Sequence, residues 1–290
     1  MFDIQNLYRA GSAAEAVALL ENNPGSKLVA GGTDVLVKLR HLSDKFRSLV
    51  DIHGLEELKT VSQDGSRLFL GAGFTFSDAI HSDLVRTYIP VLAEACATVA
   101  GPQIRNMGTI GGNIANGATS ADTAAPMLVL EPVLVILGPQ GERRSPMAGF
   151  HTGPGKVALE ASEVLMGFEF DLDKLKNLKA SYYKYAMRSA MDIATIGCCA
   201  AVAMDGGRVG ELRLAFTVAA PTPIRCRAAE AAALNKTLNE SSLAEITKAL
   251  DEDIKPRTSW RASKEFRTRI IKALAERMII SAAEKAKRGN

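Results

Sequence analysis

Two glycine pairs set among hydroxyl and amide side chains are the features of this sequence best suited to holding a ligand. The first is Ala30-Gly31-Gly32-Thr33-Asp34, which follows the apolar run Lys27-Leu28-Val29 and precedes Val35. Two glycines let the backbone adopt positive φ and approach a ligand closely, and the helix start behind them offers unpaired N–H groups. Together these make an anion site. The second is Thr109-Ile110-Gly111-Gly112-Asn113-Ile114, followed by Asn116, Gly117 and the run Thr119-Ser120-Ala121-Asp122 that opens another helix. Two such loops can clasp a pyrophosphate from opposite sides, their amides forming nests for its oxygens. Gly-Gly before a polar residue also marks plain turns and helix entries, so each loop taken alone reads more readily as structural. Neither fits the GxGxxG fingerprint or a Walker A loop. Gly153-Pro154-Gly155-Lys156 lacks the spacing and the following Ser or Thr, which argues against a simple Rossmann or P-loop enzyme.

The other residue types with reactive chemistry are scattered. His41, His53, His81 and His151 show no ligand spacing, and no Ser/His/Asp or Cys/His set suggests a nucleophile, so no catalytic side chain and no metal site are expected. Cys96, Cys198, Cys199 and Cys226 form no CxxC pair. An iron–sulfur cluster needs about four suitably placed thiolates, so none is expected in this chain, and a reducing cytoplasm fits this cysteine usage. A net charge of +3 with 23% charged residues implies no polyanionic partner and no nucleic acid. The first residues, MFDIQNLYRAGS, lack the basic and apolar regions of a leader. The longest apolar run, residues 125–137, is broken by Glu131 and Pro132 and is shorter than the about 20 residues that cross a bilayer. A soluble, cytoplasmic protein is therefore expected.

The surrounding elements must hold the loops in place. SAAEAVALLEN has helical periodicity, KLVAG reads as a strand, DVLVKLRHL as a helix and SLVDI as a strand, a small α/β unit. RLFLGAG follows as a strand, Thr75 and Asp78 suit a capping box, and a longer helix is expected over residues 89–100. Residues 121–130 suit a helix, VLVILGPQGERR a hairpin, and residues 164–170 a strand. The polar run DLDKLKNLKAS marks a boundary near residue 175, the strand pattern resuming at Tyr182. IGCCAAVAMD and RVGELRLAFTVAA then read as strands joined at Gly206 and Gly207. A final helix over residues 263–286 carries Phe266, Ile270, Ile271, Leu274 and Met278 on one side, and Trp260 beside Arg261 reads as an anchor. At 290 residues, two domains are expected: 1–175, in subdomains of about 1–56 and 57–175, and 176–290.

Strand-AGGTD-helix near residue 30 and GTIGGNIANGATSAD beyond residue 108 resemble the FAD-binding medium subunits of molybdenum hydroxylases, those of bacterial xanthine dehydrogenases and of the carbon monoxide dehydrogenase medium-subunit family among them. The resemblance spans essentially the whole chain, through GPQIRN, FHTGPGK, KYAMRSAMDI, AAPTPIRC and SWRASKEFR. It implies an α+β protein: an FAD-binding fold of the vanillyl-alcohol-oxidase (PCMH) type in two subdomains, followed by a C-terminal α+β domain with an antiparallel sheet and helices.

By the same resemblance, Lys27, Leu28, Val29, Ala30, Gly31, Gly32, Thr33, Asp34 and Val35 wrap the pyrophosphate and adenine side of FAD. Thr109, Gly111, Gly112, Asn113 and Asn116 close over the pyrophosphate and ribityl chain, and Asp122 makes a polar contact at the flavin–diphosphate junction. Leu165 packs near the adenine, Lys184 approaches the flavin ring, and Asp192 sits in a mobile loop beside it. Read without the family, Lys184 is a solvated residue on an alternating strand and Asp122 a first-turn helix acid. Many relatives have an aromatic residue where this chain has Ile193. No histidine lies in the first loop to tether the cofactor, so FAD is expected to be non-covalent. The implied function is electron transfer: a molybdopterin-binding large subunit oxidises a purine, a 2Fe–2S small subunit relays the electrons, and FAD here passes a hydride to NAD⁺. The assembly is a heterotrimer or a dimer of heterotrimers. Sister enzymes acting on carbon monoxide, nicotinate or an aldehyde, and a non-redox nucleotide-binding protein of the same fold, are the alternatives.

Overall fold

The computed structural model describes residues 3–41 and 44–288. The first unit runs β1 (Asn6–Arg9), α1 (Ala13–Asn22), β2 (Lys27–Val29), α2 (Val35–Arg40) and β3 (Ser48–Asp51). Strand β3 lies between β1 and β2 and parallel to both, with Leu49 opposite Leu7 on one side and Lys27 on the other. The Ser12 side chain accepts the Glu15 amide to start α1, a cap of the usual kind. Ala13, Ala16, Val17 and Leu20 recur at helical spacing and are buried; Ala16, Val17 and Leu20 pack with Val50 of β3 and Val164.

The second unit begins with β4 (Val61–Asp64) and β5 (Arg67–Gly71) and continues through six short helices: α3 (Phe76–His81), α4 (Asp83–Tyr88), α5 (Pro90–Ala97), α6 (Pro102–Met107), α7 (Ile110–Ala115) and α8 (Ala124–Leu130). It closes with β6 (Val133–Gly138), β7 (Gly141–Pro146), the small hairpin β8 (His151–Gly153) and β9 (Lys156–Val157), and β10 (Val164–Asp171). These strands form an antiparallel sheet in the order β4-β5-β10-β6-β7. The expected capping box is present, with Thr75 and Asp78 exchanging side-chain and backbone bonds.

The third unit is α9 (Leu172–Leu175), β11 (Lys179–Tyr185), β12 (Ile196–Asp205), β13 (Arg208–Thr217), β14 (Ile224–Arg225), α10 (Arg227–Ala233), α11 (Glu240–Asp253) and α12 (Lys264–Arg288). Its sheet, β11-β12-β13-β14, is antiparallel. The unbroken apolar run of β12 has a simple cause, because both faces of the strand are covered. Cys198, Ala200 and Val202 point into the core formed with α12, while Cys199 and Ala201 join the core of the second unit. The adjacent cysteines therefore face opposite sides of the sheet.

Helix α8 is fixed at both ends. The Thr123 hydroxyl donates to Asn113 Oδ1 at 2.6 Å before its first turn. Its last carbonyls, Leu128 and Val129, accept from Arg225 and Arg213 of the third unit at 2.9 and 3.0 Å, which satisfies groups that a helix end leaves open.

Several expectations shift. The helix expected over residues 89–100 spans Pro90–Ala97, since Pro90 occupies its first turn and the Thr98 hydroxyl folds back on Ala95 O. The helix expected from residue 121 starts at Ala124 because Asn113 holds Thr123 outside it. The polar run after Asp171 contains α9, capped by the Asp171 carboxylate, and β11 already begins at Lys179. Strand β1 and helices α6 and α7 carry too few periodic residues to stand out in the sequence. On α12, Ile271, Leu274 and Met278 are buried as expected, but Phe266 is exposed and only leans on Tyr185 at the helix start. Trp260 is no buried anchor: it is 78% exposed and lies against Arg261, 4.2 Å from ring centroid to guanidinium.

Candidate functional site

The turn between β2 and α2 is built by its two glycines in different ways. Gly32 has φ +70°, a left-handed conformation natural to glycine. Gly31 is needed for space: a Cβ there would stand 1.8 Å from the Met107 carbonyl oxygen, so the loop lies directly against the end of α6. Among the described residues, the amides of Gly31, Gly32, Thr33 and Asp34 donate to no backbone or side-chain acceptor. Four adjacent unpaired N–H groups in a glycine turn are a cradle for an anion.

The second glycine segment is organised differently from the expectation. Its amides are occupied: Ile110 N–H donates to Phe74 O at 2.9 Å, Gly111 N–H to Ala72 O at 2.8 Å and Gly112 N–H to Thr109 Oγ1 at 3.0 Å. Thr109 is the N-cap of α7, and Gly111 is packed so tightly that a Cβ would stand 2.4 Å from the Ala72 Cβ. The segment therefore forms a wall rather than a second nest, because the extension of β5 and its own N-cap Thr109 have claimed its donors.

A cleft of about 570 Å³ separates the two segments. Lys27, Leu28, Ala30, Gly31, Gly32, Thr33, Asp34, Val35, Thr109, Gly111, Gly112, Asn113, Asn116 and Leu165 all border it. Val29 does not; it pairs with Asp51 in the sheet and supports the turn from behind. Lys38, which sequence reasoning missed, spans the cleft. Its ammonium pairs with Asp34 at 2.5 Å, donates to Asn116 Oδ1 at 2.7 Å and lies over the Phe46 ring at 5.1 Å. A lysine on a helix ordinarily reads as solvated, and only the Asn116 partner reveals its role. Val99, Ile104 and Phe76 add apolar surface. A larger cavity of about 670 Å³ lies between α4, α5 and β11, and the one glycine that borders it, Gly65, belongs to the β4–β5 turn.

Glu163 forms one rim. It is buried and takes two bonds from Arg143, at 2.5 and 2.7 Å, and one from the Glu160 amide. The bonds from Arg143 outweigh burial and hold its carboxyl below the ordinary range. A carboxylate lowered on folding stabilises fully above its unfolded pKa and loses that contribution as pH falls through the folded value. Glu163→Gln should lower stability by about 1–2 kcal/mol at neutral pH, Arg143 being partly exposed. Thermal melts should show the gap to the parent closing below about pH 4; a gap that stays constant as pH is taken well below that value would remove the ion pair as its cause.

Besides Val29, three expected site residues lie outside the cleft, Asp122, Lys184 and Asp192. Asp122 precedes the N-cap Thr123, so it is not a first-turn acid; it is buried, accepting from Lys184 Nζ at 2.9 Å and from the Tyr182 hydroxyl at 3.3 Å. Burial pushes its carboxyl up, against the pull of Lys184. The Lys184 side chain is 8% exposed, not solvated, and also donates to Thr98 O, next to the cleft residue Val99. Asp192 organises its own loop: desolvation pushes its carboxyl up, but the amides of Ile193 and Arg188 and the Arg188 guanidinium hold it below the usual value. Met191 of that loop, at φ +50°, packs on Gly101 near the cleft end, and Ile193 is exposed.

Residues 2–170 match the family model described as "FAD binding domain in molybdopterin dehydrogenase", and residues 181–282 the "CO dehydrogenase flavoprotein C-terminal domain". The chain is 49% identical to the xanthine dehydrogenase FAD-binding subunit of Escherichia coli O157:H7, covering 99% of this chain and 98% of that one. It is 31% identical to the carbon monoxide dehydrogenase medium chain of Hydrogenophaga pseudoflava, over 93% and 94% of the two. The carbon monoxide dehydrogenase structure from H. pseudoflava superposes with a TM-score of 0.93 over 98% of this chain and 99% of that one, at 31% identity. Quinoline 2-oxidoreductase from Pseudomonas putida 86 gives 0.92 over 99% of both chains at 28% identity. The fold is that of a PCMH-type FAD-binding domain with an α+β domain after it, and the chain belongs to the family of FAD-binding medium subunits of molybdenum hydroxylases.

Proposed function

We propose that this chain binds FAD non-covalently in the cleft and serves as the electron-transfer subunit of a xanthine dehydrogenase-type hydroxylase, reducing NAD⁺. The observation that carries the reading is the row of four free amides at Gly31, Gly32, Thr33 and Asp34, opposite a wall that Gly111 and Gly112 keep flat. The residues present suit a dinucleotide. The free amides suit phosphate oxygens, and Lys38, held by Asp34 and Asn116, adds a cation to the same cleft. Leu165 offers an apolar wall on the adenine side, and Val99 and Ile104 offer apolar surface farther along. FAD, when bound, supplies the change from single-electron to hydride transfer, and the protein's part is to bind, orient and shield it.

The division at residue 175 fits this reading, with residues 1–175 holding the cofactor and residues 176–290 bracing it through α8 and the Lys184–Asp122 pair. Partner chains are proposed to supply the chemistry this chain does not: a molybdopterin-binding large subunit and a 2Fe–2S small subunit, in a heterotrimer or a dimer of heterotrimers in the cytoplasm. The 49% identity to a xanthine dehydrogenase subunit favours a purine substrate over those of the sister enzymes.

Co-purification with genomic neighbours, with flavin, iron and molybdenum quantified, tests the proposal. Flavin should follow this chain alone and leave it on denaturation, iron and molybdenum should appear only with partners, and the complex should reduce NAD⁺ with xanthine. A colourless chain that takes up no FAD would overturn the whole reading; a yellow complex inert toward xanthine would overturn only the substrate.

A further inference from the structure

Three buried side-chain polar atoms that lack a hydrogen-bond partner among the described residues, Thr195 Oγ1, Arg261 Nε and Arg267 Nε, belong to residues linked by one small network. Ser259 is the hub: its hydroxyl accepts from Arg267 Nη2 at 2.9 Å and from the Arg261 amide at 3.3 Å, while Arg267 Nη1 donates to Thr195 O. Arg267 is 3% exposed, yet among the described residues no carboxylate pairs with it, with Arg261 or with Arg257. Burial, and after it the positive charges of Arg257 and Arg261, press the Arg267 pKa down. Elsewhere the chain pairs its buried arginines: Arg213 and Arg225 meet Glu131, Glu211 and Glu230.

Arg267 also sits in the opening turns of α12, a 25-residue helix whose dipole presents positive charge at that end. Glu265, the acid of the first turn, is fully exposed and is held by its own amide and Ser263 rather than by the arginines. Arg267 and the buried Nε of Arg261, joined through Ser259 and Thr195, thus lack an anionic partner among the described residues, and a buried cation is ordinarily paired.

We propose that Arg257, Arg261, Arg267 and Thr195 form a binding site for a doubly charged oxyanion of the phosphate class, separate from the dinucleotide cleft. Guanidinium groups match tetrahedral oxyanions through parallel N–H donors. The charge balance favours a dianion over a single carboxylate.

The chain's only tryptophan is a built-in reporter, since Arg261 lies over the Trp260 ring. Equilibrium dialysis of the full-length protein against radiolabelled inorganic phosphate at fixed ionic strength should retain one phosphate per chain, and Trp260 emission should change along the same saturation curve. Arg257→Gln, at an exposed residue with no hydrogen bond among the described residues, should weaken retention about fivefold without affecting folding. Arg267→Met should abolish it. AMP displacing phosphate at lower concentration would mark the phosphate as part of a nucleotide, whereas AMP binding no better than phosphate would mark a free anion. No saturable retention, or an emission change reproduced by chloride, would overturn the site whatever the state of the flavin cleft.

Discussion

Gly31→Ala is expected to purify as a folded, colourless protein. The added methyl would stand 1.8 Å from the Met107 carbonyl oxygen, where contacts between non-bonded carbon atoms settle near about 3.5 Å. Met107 O belongs to backbone at the end of α6, so neither side can turn away as a flexible side chain would. The turn must move outward by more than an ångström and take with it the free amides of Gly31, Gly32, Thr33 and Asp34. Losing two charge-assisted hydrogen bonds to a pyrophosphate, at about 1.5–3 kcal/mol each, lowers affinity by at least about a hundredfold. The fold bears the change at a cost of about 1–3 kcal/mol, since the turn lies at the edge of the small parallel sheet. Gly32→Ala is the matched control. Its φ of +70° charges an L-residue about 1–2 kcal/mol, but a Cβ there meets nothing closer than 3.5 Å, so FAD should stay bound, more weakly. Flavin released per chain measures both variants, and stoichiometric FAD in Gly31→Ala would remove the turn from the binding site.

The elements around the site were legible where their cause is local. The Thr75–Asp78 capping box, the Gly206–Gly207 hairpin and the helix of residues 13–22 depend on neighbours in sequence, and the structure has all three. What the second glycine segment does was not legible. Whether the Gly111 amide is free depends on Ala72 O, a carbonyl on another element, and Gly-Gly looks the same in either case. Lys38 was hidden for a related reason, because its significance lies in Asn116 across the cleft. Lys184 shows both sides. Alternation along YYKY puts it on the face of Tyr182, which is correct, but not that this face is covered by α5 and Asp122 rather than water.

That covering makes Lys184 the second large lever on this protein. Lys184→Met should fold with FAD still bound, because Lys184 does not border the cleft, yet lose about 3–5 kcal/mol at neutral pH. The loss comes from Asp122, left buried without its cation. Asp122 already has its carboxyl raised by burial with Lys184 opposing the rise, so removing Lys184 raises it further. A carboxyl raised on folding favours the folded state below the unfolded pKa and loses that contribution as pH climbs through the folded value. The variant's stability should therefore fall with rising pH by up to about 1.4 kcal/mol per unit above the ordinary carboxylate pKa, more steeply than the parent's. Asp122→Asn combined with Lys184→Met should flatten that slope and recover most of the loss, since no charge then remains to be buried. Denaturant melts of the parent and of the single and double variants across the neutral range provide the measurement. A single variant whose pH dependence runs parallel to the parent's would mean that Asp122 is not the charge Lys184 neutralises.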